Sequence, residues 1–223
     1  MESRKISILL PSAYRAQQLR RAVELIRETT PQPVEILVSV VEDDRMSQEA
    51  IRGMPIPRHI RTVDEYERGA VYAWNLLMRL ATGDVLALWA DDLLPYSGWS
   101  DAALDALDEM GGHGVVGFND LASDGEEYAA HWLADRRFVE EHLGGVMYPA
   151  VYKSWWADRE VTDIAKSLGC YRWCREAVVE HLNYTFGKSA ADKTYLDAAM
   201  NYEADRAVYE QRKAVGFSLE GRD

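Results

Sequence analysis

Cysteine, positive charge and long apolar runs are all scarce in this chain, and each shortage closes off a class of function. Only two cysteines occur in 223 residues, Cys170 and Cys174 of the run CYRWC. A disulfide framework needs more of them, and a zinc site needs a second Cys or Cys/His pair at ligand spacing. The two thiols are therefore read as reduced side chains near a core strand. Lys and Arg number 25 against 37 Asp and Glu, a formal net charge of −12. The mean field repels polyanions, which disfavours a dedicated nucleic-acid binder while leaving a local basic patch open. No window reaches 18 consecutive apolar residues, and the opening MESRKISILLP has no apolar core of the signal-peptide kind. Neither a membrane span nor a secretory signal is read, and a cytoplasmic chain is expected.

What is present is ordinary globular material, 48% hydrophobic and 28% charged, generous in Tyr (12) and Trp (7). One single domain over 1–223 is expected, because no linker, repeat or low-complexity tract interrupts it. Strand and helix patterns alternate through the first half, the signature of an α/β sheet. Strands are predicted at Ile6–Pro11, Val34–Val41, Ile60–Val63 and Val85–Trp89. Helices are predicted near Leu19–Ile26, Ser47–Gly53 and Ala70–Ala81, and over Asp101–Met110 with Ser100 as N-cap. The second half reads as strands at Val115–Asn119, Ala129–Leu133 and Ala177–His181, helices at Arg136–Leu143 and Asp158–Leu168, and one long helix from Asp192 to about Lys213.

The strand Val85–Trp89 runs directly into Asp91-Asp92. Consecutive carboxylates at the carboxyl edge of a parallel sheet face the place where open α/β folds bind ligands. There they can hold a hard cation against a diphosphate; alone, the pair reads better as a turn or a helix cap. Upstream lie Arg68-Gly69, Ala73-Trp74-Asn75 and Ala81-Thr82-Gly83-Asp84, and downstream Pro95 and Gly98-Trp99. This stretch resembles the inverting family 2 glycosyltransferases of the GT-A fold, whose pattern runs Ala-x-Asn, Ala-x-Gly-Asp, a hydrophobic strand and Asp-x-Asp. The steps from Asn75 to Gly83 and from Gly83 to Asp92 match. The first motif position departs: it is Ala90 here.

The resemblance implies a Rossmann-like nucleotide-sugar-binding fold, with a mixed, mostly parallel sheet flanked by helices and a C-terminal helix. It implies a donor half over 1–110 and an acceptor half over 111–223. It also implies a divalent metal (Mn²⁺ or Mg²⁺) held by Asp92 and His181, and a nucleotide-sugar donor, UDP-linked by preference. Donor contacts are then expected from Pro11, Ser12, Tyr14, Arg68, Asp91, Lys188, Lys193 and Tyr195, and from Glu42, with Asp43 and Asp44 as alternatives. Sugar transfer with inversion needs a carboxylate to take the acceptor's proton. Asp158, eleven residues before Gly169, matches the family's base; Glu160 and Asp163 are its rivals. His59, His113, His131 and His142 show no ligand spacing and receive no role.

Two other classes stay open: a nucleotidyltransferase of related architecture, although the loop Pro11–Arg15 lacks the glycine such enzymes use, and a binding protein that has lost catalysis, suggested by Ala90 and Ala157. A saccharide acceptor is favoured and a hydroxylated DNA base is also open; oligomeric state is not legible.

Overall fold

In the computed structural model, β-branched runs become strands and the amphipathic stretches between them become the helices that cover the sheet. It describes residues 4–54, 58–62 and 65–218, without the side chains of 58–62 and 65–68. The order is β1 (Ile6–Ser12), α1 (Ala16–Thr29), β2 (Val34–Val41), α2 (Arg45–Ile51), β3 (Arg58–Thr62), α3 (Glu65–Leu80), β4 (Val85–Leu88), β5 (Leu93–Pro95), α4 (Trp99–Glu109), β6 (Val115–Asn119), β7 (Trp132–Asp135), α5 (Arg136–His142), α6 (Ala157–Ser167), β8 (Tyr171–His181), a 3-10 turn (Tyr184–Phe186), α7 (Lys193–Ala199) and α8 (Tyr202–Ala214). The strands form one sheet in the order β3-β2-β1-β4-β7-β6-β8-β5. Pairs β1/β2, β1/β4, β2/β3 and β6/β8 are parallel, and β4/β7, β6/β7 and β5/β8 antiparallel. β1, β4 and β7 are buried on both faces, and β4 accordingly reads as an unbroken apolar run.

Four expectations are corrected. The long C-terminal helix is two, broken between Ala199 and Tyr202, where Asn201 is the N-cap residue of α8. Helix α4 starts earlier, at Trp99, behind Gly98 in the left-handed region (φ 85°). Ser100 is accordingly a buried helical residue whose hydroxyl donates to Gln32 Oε1 (2.7 Å). The strand expected at Ala129–Leu133 is shifted to Trp132–Asp135. The strand at Ala177–His181 is the distal half of an eleven-residue β8, hidden by its mixed burial. β5 was too short to leave a pattern.

The residues that carried the family resemblance are largely fold-holding. Asn75 is buried in α3, and its side-chain amide donates to Tyr148 O (2.7 Å). Its side-chain oxygen accepts from the backbone N–H groups of Met147 (2.9 Å) and Tyr148 (3.1 Å). Asn75 thus fastens the segment that leads to the second half of the site. Gly83 packs so tightly against β1 that an added Cβ would lie 2.6 Å from Ser7 Oγ and 2.7 Å from Lys5 O. Gly69 interrupts α3 at φ 76°, and an added Cβ there would sit 2.2 Å from Lys153 O; only glycine meets both conditions. Asn75→Ala would strand three buried backbone groups, an expected loss of about 3 kcal/mol or more. Thermal denaturation checks this, and a melting temperature within ~2 °C of the parent refutes the fastening role.

Candidate functional site

β1 and β4 deliver their C-terminal ends side by side, and the chain leaves β4 through Asp91-Asp92 before β5. Both carboxylates are buried. Ser12, ending β1, donates its hydroxyl to Asp91 Oδ2 (2.6 Å). The cation between the two acids belongs to the chain: Arg15 Nη1 lies 3.0 Å from Asp91 Oδ1 and 3.4 Å from Asp92 Oδ2. On its other side Arg15 forms a fork with Asp192, Nε–Oδ2 2.7 Å and Nη2–Oδ1 2.9 Å. Its guanidinium carbon sits 4.0 Å above the Tyr195 ring. Burial works against the Arg15 charge, but Asp192, Asp91 and Asp92 outweigh it and raise the pKa. Sequence reasoning placed Arg15 in the first loop without giving it this partnership, and nothing in the sequence linked it to Asp192.

The two acids are not equivalent. Burial pushes Asp91 up to about 6, against the pull of Arg15. Burial also acts on Asp92, but hydrogen bonding and charge from His181, the Tyr195 hydroxyl and Arg15 prevail and hold it low. Tyr195 donates to Asp92 Oδ2 (2.6 Å), and His181 Nε2 is 3.5 Å from the same oxygen. Asp92 Oδ1 is buried with no partner. A cleft of about 320 Å³ opens on this group between Arg21, Ser189 and Leu182.

A second cleft, about 510 Å³, is lined by Asp158, His181, Trp155, Trp156, Tyr184 and Tyr202 among others. Both volumes suit small organic ligands. Asp158 sits in the first turn of α6 behind Trp156, whose φ is 67°. Desolvation by the surrounding protein raises its carboxyl to about 6, against the backbone N–H and charge of Arg159. Its rivals are committed elsewhere. Glu160 is wholly buried, taking Arg212 in a fork (2.7 and 2.9 Å) and the Tyr152 hydroxyl (2.8 Å). Asp163 pairs with Tyr209 and Lys213. Asp205, in the first turn of α8, accepts from the N–H groups of Lys153, Ser154 and Trp155 and so holds the loop that presents both tryptophans. Trp132, by contrast, is core.

The remaining sequence candidates divide. Ser12, Asp91, Asp92, His181 and Tyr195 converge. Pro11 is buried at the end of β1. Tyr14 is exposed at φ 57°, and its hydroxyl donates to Asp43 Oδ1 (2.6 Å). Glu42 lies beside it, lining an open hollow with Asp43 and Arg45, while Asp44 caps α2 and accepts from Tyr14 N. Lys188 is bound to Glu180 (2.9 Å) and Leu121 O (3.0 Å), and Lys193 to Asp197. Arg68 and His59 have side chains outside the described residues. Sequence reasoning missed His131, which packs edge-on against His181 with ring centroids 4.6 Å apart. It also missed the contact between His113 and His142 (Nε2–Nε2 3.4 Å).

A family model described as Glycosyl transferase family 2 matches residues 7–148, well over half of the chain. No curated relative matches in sequence. Among solved structures, the chain is similar to mannosyltransferase PcManGT from Pyrobaculum calidifontis, in complex with GDP-Man and Mn²⁺: 17% identity over 99% of this chain and 78% of that one, TM-score 0.63. It is also similar to glucosyl-3-phosphoglycerate synthase from Mycobacterium tuberculosis with Mn²⁺, UDP and phosphoglyceric acid, at 13% identity over 98% and 81%, TM-score 0.64. The same synthase with Mg²⁺ and UDP gives 15% identity over 81% and 72%, TM-score 0.57. At such identities the likeness is one of fold.

Proposed function

We propose that this chain, which belongs to glycosyl transferase family 2, moves a sugar from a nucleoside-diphosphate donor to a hydroxyl acceptor with inversion at the anomeric carbon. One observation carries the reading: a desolvated carboxylate, Asp158, faces an aromatic cleft that also contains His181, and His181 adjoins the buried acidic pair. The Asp158 carboxylate takes the acceptor's hydroxyl proton, the oxygen attacks the anomeric carbon, and the bond to the diphosphate breaks with its electrons passing to the leaving group. The donor lies against the ends of β1 and β4, near Ser12 and Asp91, with Tyr14 and Glu42 toward the nucleoside. Residues 111–223 take the acceptor. Trp155, Trp156 and Tyr202 give that side flat apolar faces, which suit a saccharide.

The residues present fit a divalent cation. Asp92 Oδ1 is a buried acceptor without a partner, and His181 Nε2 lies 3.5 Å from the other oxygen. A metal bound by Asp92 and His181 would neutralise the diphosphate. A thermal-shift panel of UDP- and GDP-linked sugars, each with Mn²⁺, tests the reading. Saturation at about 100 times Kd stabilises the native state by ~2.7 kcal/mol, and UDP-sugars are expected to give the larger shift. If no nucleotide sugar raises the melting temperature, donor binding and this function fall together.

A further inference from the structure

Beside the acidic pair, three side chains distant in sequence meet. Asp120 comes just after β6, His131 precedes β7 and His181 ends β8, so the antiparallel β6/β7 pairing and the parallel β6/β8 pairing bring all three to one end of the sheet. One ligand-type atom from each lies within 4.8 Å of the other two. Asp120 and His131 are buried, at 3% and 7% exposure. Nδ1 of His131 and Nδ1 of His181 are both buried with no hydrogen-bond partner. A buried imidazole nitrogen left unpaired in a polar cluster is costly unless something completes it.

The charges support the same conclusion. The Asp91-Asp92 pair already has an internal cation in Arg15. Asp120 takes its hydrogen bonds from neutral donors, the N–H groups of Ala122 (2.9 Å) and Ser123 (2.7 Å) and the Ser123 hydroxyl (2.6 Å). A buried carboxylate oriented by hydrogen bonds beside two imidazoles has the make-up of a metal centre with its supporting shell in place. His181 lines the larger cleft and gives an ion a route in.

We propose that Asp120, His131 and His181 form a transition-metal site, distinct in its ligands from the Asp92 carboxylate and selective against Mg²⁺. Two imidazoles and one carboxylate favour Mn²⁺, Co²⁺ or Zn²⁺, whereas Mg²⁺ takes oxygen ligands and sheds water reluctantly. The site shares His181 with the metal reading above but does not depend on sugar transfer.

Isothermal titration with Co²⁺, accompanied by its visible absorption, tests it. One equivalent is expected to bind the wild-type chain and to resist a hundredfold excess of Mg²⁺. Affinity falls at least tenfold in His131→Asn and Asp120→Asn, the loss usual for a metal-site residue. Without nucleotide, when Asp92 has no diphosphate with which to share an ion, it stays within threefold in Asp92→Asn and in the His113→Ala/His142→Ala double variant, which removes the partly exposed histidine pair at the other end of the sheet. The proposal is overturned if wild type binds no Co²⁺, if Mg²⁺ displaces it, if His131→Asn binds as wild type does, or if the double variant abolishes binding. Should the buried variants fail to fold, ¹⁵N spectra of the wild-type imidazoles with Zn²⁺ decide: His131 and His181 shift together, and an unmoved His131 refutes the site. Failure of every donor in the thermal-shift panel would leave these results untouched.

Discussion

Asp158→Asn is expected to lower turnover by about 10²–10⁴-fold, the usual contribution of a positioned general base, while donor-induced thermal shifts persist. The amide preserves shape and hydrogen bonding but cannot accept the acceptor's proton. The same carboxyl sets the pH dependence. Its value of about 6 in the folded chain means that the carboxylate is lost as pH falls through 6, so kcat/KM should drop tenfold per unit below that point and level off above it. Stability moves in the opposite sense. An unfolded Asp titrates near ~3.9, so between that value and about 6 the folded state holds more protons and loses stability as pH rises. Asp158→Asn removes the charged form and should therefore raise the melting temperature at about pH 7.5, by ~3 °C for each ~1 kcal/mol recovered, with the gain vanishing near pH 4. A variant retaining a tenth of wild-type turnover, or a wild-type profile flat from pH 5 to 8, would remove Asp158 from the role of base.

Half of this site could be read from the sequence because it lies where local pattern and strand ends coincide. Ile6–Ser12 and Val85–Leu88 are apolar runs buried on both faces, and topology places the residues just past a buried parallel strand at the sheet's ligand edge. That alone locates Asp91, Asp92 and Ser12. Asp158 and His181 were reached only through the family resemblance, Asp158 by its eleven-residue step to Gly169 and His181 by its place at the end of the last strand. The partners that decide the electrostatics were not reachable this way. Arg15 and Asp192 are 177 residues apart, and no periodicity couples a first loop to the residue before α7. Asp120 and His131 sit outside regular strands, in a connection whose path is set by tertiary contacts. The motif also hid a division of labour: Asn75 and Gly83 signal the fold because they fasten it, and neither lines the two clefts of the site.

Arg15→Met should be among the most destabilising single changes in the chain. Arg15 is 7% exposed and sits against Asp91 and Asp92, which are also buried. Removing one partner of a buried ionic cluster leaves the others uncompensated, at about 3–5 kcal/mol, or ~10 °C in melting temperature at this length. Methionine keeps the volume, so the loss reports charge and not a cavity. Asp91 is already raised to about 6 with Arg15 present; without it the carboxyl rises further. The folded state of the variant then holds more protons than the unfolded state across a wider window, so its deficit is greatest above pH 6 and shrinks as acid protonates Asp91. Freed of the guanidinium, the two carboxylates form an all-oxygen pair, and such a pair accepts hard cations. Mg²⁺ at about 10 mM should consequently recover part of the loss in Arg15→Met, by mass action on the native state alone, and shift the wild-type melting temperature by less. Calorimetry at pH 5 and pH 7.5, with and without Mg²⁺, separates the outcomes. A variant as stable as wild type at pH 7.5 would mean that the acidic pair does not need its internal cation. A deficit that Mg²⁺ fails to relieve would mean that Arg15 serves mainly to tie α7, through Asp192, to the end of β1.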